Sequence, residues 1–156
     1  MTKLCVFSDS HGLALYMLRA IRAEDPDLVV HLGDGYSDLS EVREAFPGLP
    51  LRCVRGNCDV FSPAPAKLAF SVEGKRILAV HGHAYQVKTD RSLQRLCYAA
   101  LEEEADLVLF GHTHVPCHDR WGDLEILNPG SISALRPSYG VVAVENGRLS
   151  AELKKL

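Results

Sequence analysis

The chain predicts an α/β fold, a four-layer α/β/β/α sandwich of two mixed sheets with helices outside. Three observations point there. Apolar, β-rich runs alternate with helical stripes over the first third, an antiparallel hairpin follows, and the C-terminal third carries strands alone. Two sheets facing each other, with helices on their outer faces, satisfy that pattern.

The elements follow in order. Leu4-Cys5-Val6-Phe7 reads as a buried strand. Leu13, Met17, Ala20 and Ile21, with Ala14 and Leu18 beside them, form a helical stripe that Asp25-Pro26 closes. Leu28 to Leu32 is a second strand, ending at Gly33-Asp34. Ser37 is placed to cap a short helix with Leu39, Val42 and Phe46 on one face. Leu51 to Val54 is a third strand leading into Gly56-Asn57. This β-α-β-α-β opening implies parallel strands joined by right-handed crossovers. Pro63 and Pro65 make Ser62 to Ala66 a loop, because proline cannot donate to a strand ladder. Phe70 to Glu73 and Arg76 to Val80 read as a hairpin around Gly74-Lys75. Leu93, Leu96, Cys97, Ala100 and Leu101 form the core stripe of another helix, and Leu107 to Phe110 is the strand that delivers Gly111-His112. Leu124 to Leu127, Val141 to Val144 and Leu149 to Leu153 are strands, the last two joined by Asn146-Gly147, a type I′ turn signal.

The 156 residues fit one domain, 1–156, with a substantial core. The apolar share of 47% and charged share of 24% are those of an ordinary globular protein. A formal net charge of −3 argues against a large nucleic-acid duplex as partner, since such binding relies on a basic surface. It leaves room for a phosphate-seeking site, where bound metals bring their own positive charge. The five cysteines are odd in number and form no CxxC pair, so free thiols in a reducing cytoplasm are expected. The first apolar run, Leu4 to Phe7, is too short for a signal peptide or a membrane span, so a cytoplasmic protein with no membrane partner is expected. The exposed side of the C-terminal hairpin could pair with a second copy, making a homodimer the expected assembly.

Five polar clusters carry the chemistry: Asp9-Ser10-His11, Gly33-Asp34, Gly56-Asn57-Cys58-Asp59, His81-Gly82-His83 and Gly111-His112-Thr113-His114. Each follows an apolar run, where the carboxyl end of a strand can aim side chains into a crevice above a sheet. Asp9 and His11 are two apart, so on extended backbone they would face the same side, and His112 and His114 repeat that spacing. Together the clusters supply carboxylate, imidazole and amide ligands for hard or borderline cations. Two divalent ions bring four positive charges, Asp9 and Asp34 return two negative ones, and a bridging hydroxide one more. About one net positive charge then remains to attract a phosphate and to lower the pKa of bound water towards ~7.

The series D-x-H, GD, GNCD, HGH and GHTH resembles the calcineurin-like metallophosphoesterase superfamily. It is most similar to the small bacterial and archaeal phosphodiesterases that lack a separate cap domain. The likeness runs from Asp9 to Asn128-Pro129-Gly130-Ser131, and the division of the strands into two sheets follows from it. The resemblance implies two metal ions, manganese by preference, with iron, nickel, cobalt or zinc compatible. It implies that Asp9, His11 and His114 hold one ion, that Asn57, His81 and His112 hold the other, and that Asp34 bridges them. It implies hydrolysis of a small phosphoester, a phosphodiester above all, by a hydroxide lying between the two metals.

One departure bears on the leaving group. Many nucleases and protein phosphatases of the superfamily have a histidine after the metal-binding asparagine, read as the acid that protonates the leaving group. Here Cys58 follows Asn57, as in the small phosphodiesterases. A thiol with an ordinary pKa near ~8.5 is a poorer acid than imidazolium, so good leaving groups are expected to be preferred. His83 is the candidate substitute acid, and Asp59 is expected to orient ligands rather than bind metal. His31 reads as a hydrogen-bonded core histidine, His118 as a residue of a solvated loop, and Arg52, Arg55 and Arg136 as surface charge. The rival readings are a phosphomonoesterase at the same site and a non-catalytic protein-binding adaptor on the same scaffold, as in the retromer subunit that resembles these enzymes. Loss of ligand residues would mark the adaptor, and all seven expected ligands are present.

Overall fold

A computed structural model describes residues 1–156. In chain order the elements are β1 (Thr2–Phe7), α1 (Leu15–Glu24), β2 (Leu28–His31), α2 (Leu39–Ala45), β3 (Leu51–Cys53), β4 (Lys67–Val72) and β5 (Lys75–Val80). Then come α3 (Gln94–Glu102), β6 (Leu107–Leu109), β7 (Cys117–Trp121), β8 (Leu124–Asn128), β9 (Ser138–Glu145) and β10 (Arg148–Lys155). Two five-stranded sheets result, ordered β10-β9-β1-β2-β3 and β4-β5-β6-β8-β7. Both are mixed. β1, β2 and β3 run parallel, β9 is antiparallel to β1 and β10 antiparallel to β9, while β5, β6 and β8 run parallel with β4 antiparallel to β5 and β7 to β8.

Strand pleating assigns each apolar residue its layer. Leu4 and Val6 of β1 face the second sheet, where Ile77, Ala79, Leu107 and Leu109 meet them. The alternate residues Cys5 and Phe7 turn outward onto Met17, Ala20 and Ile21 of α1 and Leu39 and Val42 of α2. In the second sheet Leu78, Val80 and Val108 turn the other way, onto Leu96, Cys97 and Ala100 of α3. Strands buried on both faces explain the unbroken apolar runs, since no side of the strand meets water. The expected four layers, α/β/β/α, are therefore present.

Local departures have identifiable causes. The first helix starts at Leu15, and Leu13 is exposed, because the preceding residues are committed to the loop after β1. Ser37 does not cap α2; it lies in a 3₁₀ turn, Tyr36–Asp38, and its carbonyl accepts the Ser40 hydroxyl at 3.0 Å. Leu101 is 55% exposed beside Trp121 rather than in the core. β7 was not expected, because Cys117–Trp121 lacks an apolar alternation. It is an exposed edge strand, so His118 sits on a strand and not in a loop, with Nε2 3.2 Å from Glu125 Oε2. Asn146 and Gly147 take φ of 52° and 73°, as a type I′ turn requires. All five cysteines are free, and no helix is long and apolar enough to cross a membrane.

Candidate metal centre

The parallel strands of both sheets end on the same side, and their carboxyl ends carry the five polar clusters. β1, β2 and β3 deliver Asp9, His11, Asp34 and Asn57; β5 and β6 deliver His81, His112 and His114. The backbone route differs from the expected extended one. Asp9, His11, Asp34, His112 and His114 all adopt left-handed backbone, with φ between 43° and 71°. Non-glycine residues held there cost on the order of 1–3 kcal/mol each and persist where the surroundings over-determine them. Here they do. The Asp9 N–H donates to Gly33 O and the His11 N–H to Asp34 O, both at 3.0 Å. The Asp9 carbonyl accepts the hydroxyls of Ser131 and Ser133, each at 2.8 Å.

Two donor sets emerge. Asp9 Oδ1 lies 3.1 Å from His114 Nε2 and 3.4 Å from His11 Nε2, and the two imidazole nitrogens are 3.3 Å apart. Asp34, His81 and His112 form the second set, with Asp34 Oδ2 3.3 Å from His81 Nε2. The same Oδ2 is 3.9 Å from His11 Nε2, which stands Asp34 between the sets. The sets are also tied together, since the His112 N–H donates to Asp9 Oδ2 at 3.1 Å. Asn57 lies exposed in the turn after β3, beside Cys58, whose N–H donates to Asp34 Oδ1 at 2.8 Å.

Whether these residues suit metal ions is tested by His81. Its Nδ1 is 2.7 Å from the Leu32 carbonyl, so it carries the proton and donates. That leaves Nε2 as a lone pair, buried, with no hydrogen-bond partner, facing the Asp34 carboxylate. A buried lone pair aimed at an anion needs a cation or a second proton between them. The crowding of Asp9, His11 and His114 poses the same demand. The donor sets fit divalent metal ions.

Charge responds accordingly. Burial opposes ionisation of Asp34, but the neighbouring His81 imidazole and the Cys58 N–H that donates to it outweigh burial and hold the carboxyl well below its usual range. Burial also opposes a charged His81, yet Asp34 wins and raises it. Burial, the Lys88 ammonium and His81 push His112 down. Burial and His81 push His83 down as well. Burial and then the Asp34 charge raise the Cys58 thiol.

The neighbours of the donor sets are fastened in turn. Asp59 holds no donor set; its carboxylate accepts the N–H groups of Asp34, Gly35, Tyr36 and Gly56 at 2.8–3.1 Å, shaping the turn that presents Asp34. That turn passes so close to the one after β3 that a Cβ at Gly56 would overlap the Asp34 carboxylate. His83 is not on extended backbone: left-handed Gly82 turns the chain into a 3₁₀ turn, His83–Tyr85. Its ring still stands 5.4 Å from that of His81 and 6.2 Å from that of His112. His31 is a fully buried, hydrogen-bonded core histidine, and it also does more. The Gly33 N–H donates to its Nδ1 at 3.1 Å, its Nε2 meets Ser10 Oγ at 3.0 Å, and Ser10 donates to Asp38 at 2.6 Å. This chain pins the loop that carries Asp9 and His11. Nothing in the spacing of Ser10 or Asp38 signalled it. Arg52 lies over the Phe70 ring, 5.0 Å from its centroid, rather than at the site.

Fold and donor sets together define a metal-dependent phosphoesterase scaffold of the small type without a cap domain. Residues 2–147 match the family described as the calcineurin-like phosphoesterase superfamily domain, and the chain belongs to that family. The probable metallophosphoesterase YsnB of Bacillus subtilis is 33% identical over 148 residues, covering 90% of this chain and 83% of that protein. The phosphodiesterase YfcE of Escherichia coli K12 is 28% identical over 104 residues, 57% of this chain and 50% of its own. A Streptococcus pneumoniae TIGR4 structure, described as a predicted phosphoesterase, superposes with a TM-score of 0.81 at 31% identity, covering 99% of this chain and 89% of its own. Vps29 of Chaetomium thermophilum shares the fold, with a TM-score of 0.80 at 17% identity over 100% of this chain and 97% of its own.

Proposed function

We propose that the chain is one catalytic domain, a phosphodiesterase that works with two divalent metal ions. Asp9, His11 and His114 would hold one ion, Asn57, His81 and His112 the other, and Asp34 both. The observation that carries this reading is the position of Asp34 Oδ2, 3.3 Å from buried, unpartnered His81 Nε2 and 3.9 Å from His11 Nε2. A carboxylate has two oxygens to share, and this one stands between two histidine sets. Bound ions would supply Lewis acidity there, polarising a phosphoryl oxygen and bringing the pKa of water to about 7. Manganese is the preferred metal on family resemblance, and the all N/O donor set also accepts iron, cobalt, nickel or zinc.

The chain's own residues bear on the leaving group. The His83 ring stands beside both His81 and His112, and burial and His81 push its pKa down, which reduces the share of the protonated form that an acid needs. The Cys58 thiol is held protonated, but its raised pKa makes it a weak acid. Neither group assists departure of an alkoxide well. Diesters with good leaving groups, such as aryl phosphodiesters, are the substrates that need no such help.

The test is turnover by metal-stripped protein reloaded with Mn²⁺. Bis(p-nitrophenyl) phosphate should be hydrolysed faster than p-nitrophenyl phosphate, with two ions per chain by calorimetry. Asp34→Asn should lose activity on the order of 100-fold or more, because one anionic oxygen leaves the space between the donor sets. No turnover of either ester by protein with both ions bound would reject the hydrolase and leave protein binding as the role of the scaffold. A second assay addresses the leaving group. Cys58→His should raise turnover of alkyl esters relative to aryl esters, and an unchanged ratio would remove Cys58 from the account.

A further inference from the structure

Beside the metal centre, outside the donor sets, lies a pocket of about 630 Å³. Val87, Leu93, Phe110, Val115 and Cys117 make its apolar lining, and Lys88 and Arg91 line it as well. Its inner wall is the back of both histidine loops. Thr113, between His112 and His114, lines it and is held by Asn128 Nδ2 at 2.9 Å. Val87 and Phe110 pack under Gly82, between His81 and His83, where a Cβ would meet Val87 Cγ2 at 3.1 Å and Phe110 Cδ2 at 3.6 Å.

The two cations are exposed side chains on one short loop. Their loop is braced by the Asp90 N–H donating to Gln86 O at 2.9 Å and the Leu93 N–H to Asp90 O at 3.2 Å. The Asp90 carboxylate faces the other way, accepting from Ser92 and the Gln94 N–H. Neither Lys88 nor Arg91 is neutralised by an ion pair with a neighbouring carboxylate. No carboxylate lines the pocket. Two free cations over an apolar floor, on a chain of net charge −3, complement a ligand group that is itself both apolar and anionic.

We propose that this pocket receives the ester group of the substrate that is not expelled, and that this group is a flat apolar body carrying its own carboxylate or phosphate. The proposal rests on the diesterase reading above and names its substrate class. The reacting phosphorus occupies the metal centre, the apolar body passes over Thr113 onto Phe110 and Leu93, and the second anion meets Lys88 and Arg91. A guanidinium is suited to that end, since its planar fork can take a carboxylate or phosphate through two hydrogen bonds.

Two synthetic diesters isolate the effect. p-Nitrophenyl phenyl phosphate and p-nitrophenyl 4-carboxyphenyl phosphate share the leaving group and differ by one carboxylate. The Mn²⁺-loaded enzyme should favour the second by about tenfold in kcat/KM. Lys88→Gln with Arg91→Gln should bring that ratio to about one, and so should Val115→Asp, which puts a negative charge at an exposed position on the pocket lining. Lys75→Gln with Arg148→Gln removes the same charge from the opposite end of the strands and should keep the ratio. A ratio near one in the unmodified enzyme, or its equal loss in the remote pair, overturns the proposal. Silence on both diesters would instead fail the diesterase reading, and calorimetric binding then decides for the pocket. Tighter binding of 4-carboxyphenyl phosphate than of phenyl phosphate, abolished by the Lys88 and Arg91 changes, supports it; equal dissociation constants overturn it.

Discussion

His81 is a histidine with only one free hand. Its Nδ1 is committed to the Leu32 carbonyl, and its Nε2 faces Asp34 from a fully buried position. Without a metal, a proton can fill the gap, and Asp34 raises the His81 pKa to favour it. A metal must displace that proton. Metal affinity is therefore expected to be full above the raised His81 pKa and to fall as pH drops through it, by up to about tenfold per pH unit. Calorimetry in buffers of different ionisation enthalpy should show proton release on metal uptake below that pKa. His81→Gln, with no proton to release at this position, should lose the part of the dependence that lies above the ordinary histidine range, along with much of the affinity. Affinity that ignores pH in the unmodified protein would mean that Nε2 is not a ligand.

The loop after β1 shows how an element shapes such a site. Asp9 and His11 stand in left-handed backbone, and the loop is fastened from below by His31, Ser10 and Asp38. Ser10 is the joint: it accepts from His31 and donates to the Asp38 carboxylate, which also takes the Gly12 N–H at 2.9 Å. Ser10→Ala would leave the buried His31 Nε2 proton without its acceptor. A cost of about 1–3 kcal/mol in unfolding free energy is expected, readable by urea denaturation, with weaker metal binding because the loop is released. Unchanged metal affinity in a destabilised protein would confine the chain to stability. The sequence shows the donors of this loop but not its fastening. Asp9 and His11 declare themselves by residue type after an apolar strand, whereas Ser10 and Asp38 acquire meaning only when β1 and the turn after β2 are brought together. The same holds for β7, an edge strand whose polar residues carry no alternation to read. By contrast β1, β2, β5 and β6, buried on both faces, are written as unbroken apolar runs, and the Asn146-Gly147 turn by its two residues alone.

The molecule as a whole is a pair of sheets whose carboxyl ends share one crevice. Each donor set mixes them: Asp9 and His11 from one sheet meet His114 from the other, and Asp34 meets His81 and His112. Far from that crevice, a second charged cluster fixes α1 to its sheet. Glu24, only 8% exposed, accepts the ammonium groups of Lys3 and Lys154 at 2.8 Å and the Tyr139 hydroxyl at 2.9 Å. Burial alone would raise its pKa; the hydrogen bonds from Lys154, Lys3 and Tyr139 outweigh it and bring the carboxyl down to about 2 from an ordinary 4.5. A carboxyl whose folded pKa is depressed stabilises the fold above its unfolded value and loses that stabilisation as protons return. The contribution should thus be complete above pH ~4.5 and fade towards pH ~2, amounting to on the order of 1–2 kcal/mol once screening by solvent around the partly exposed lysines is counted. Glu24→Gln should lower the melting temperature at pH 6 and flatten its decline between pH 5 and pH 2. Because the cluster lies at the amino-terminal end of β1, it should do so while leaving metal stoichiometry at pH 7 unchanged, which separates the acid lability of the fold from that of the crevice. An acid-unfolding profile identical in the variant would transfer the low-pH transition to the carboxylates of the metal centre.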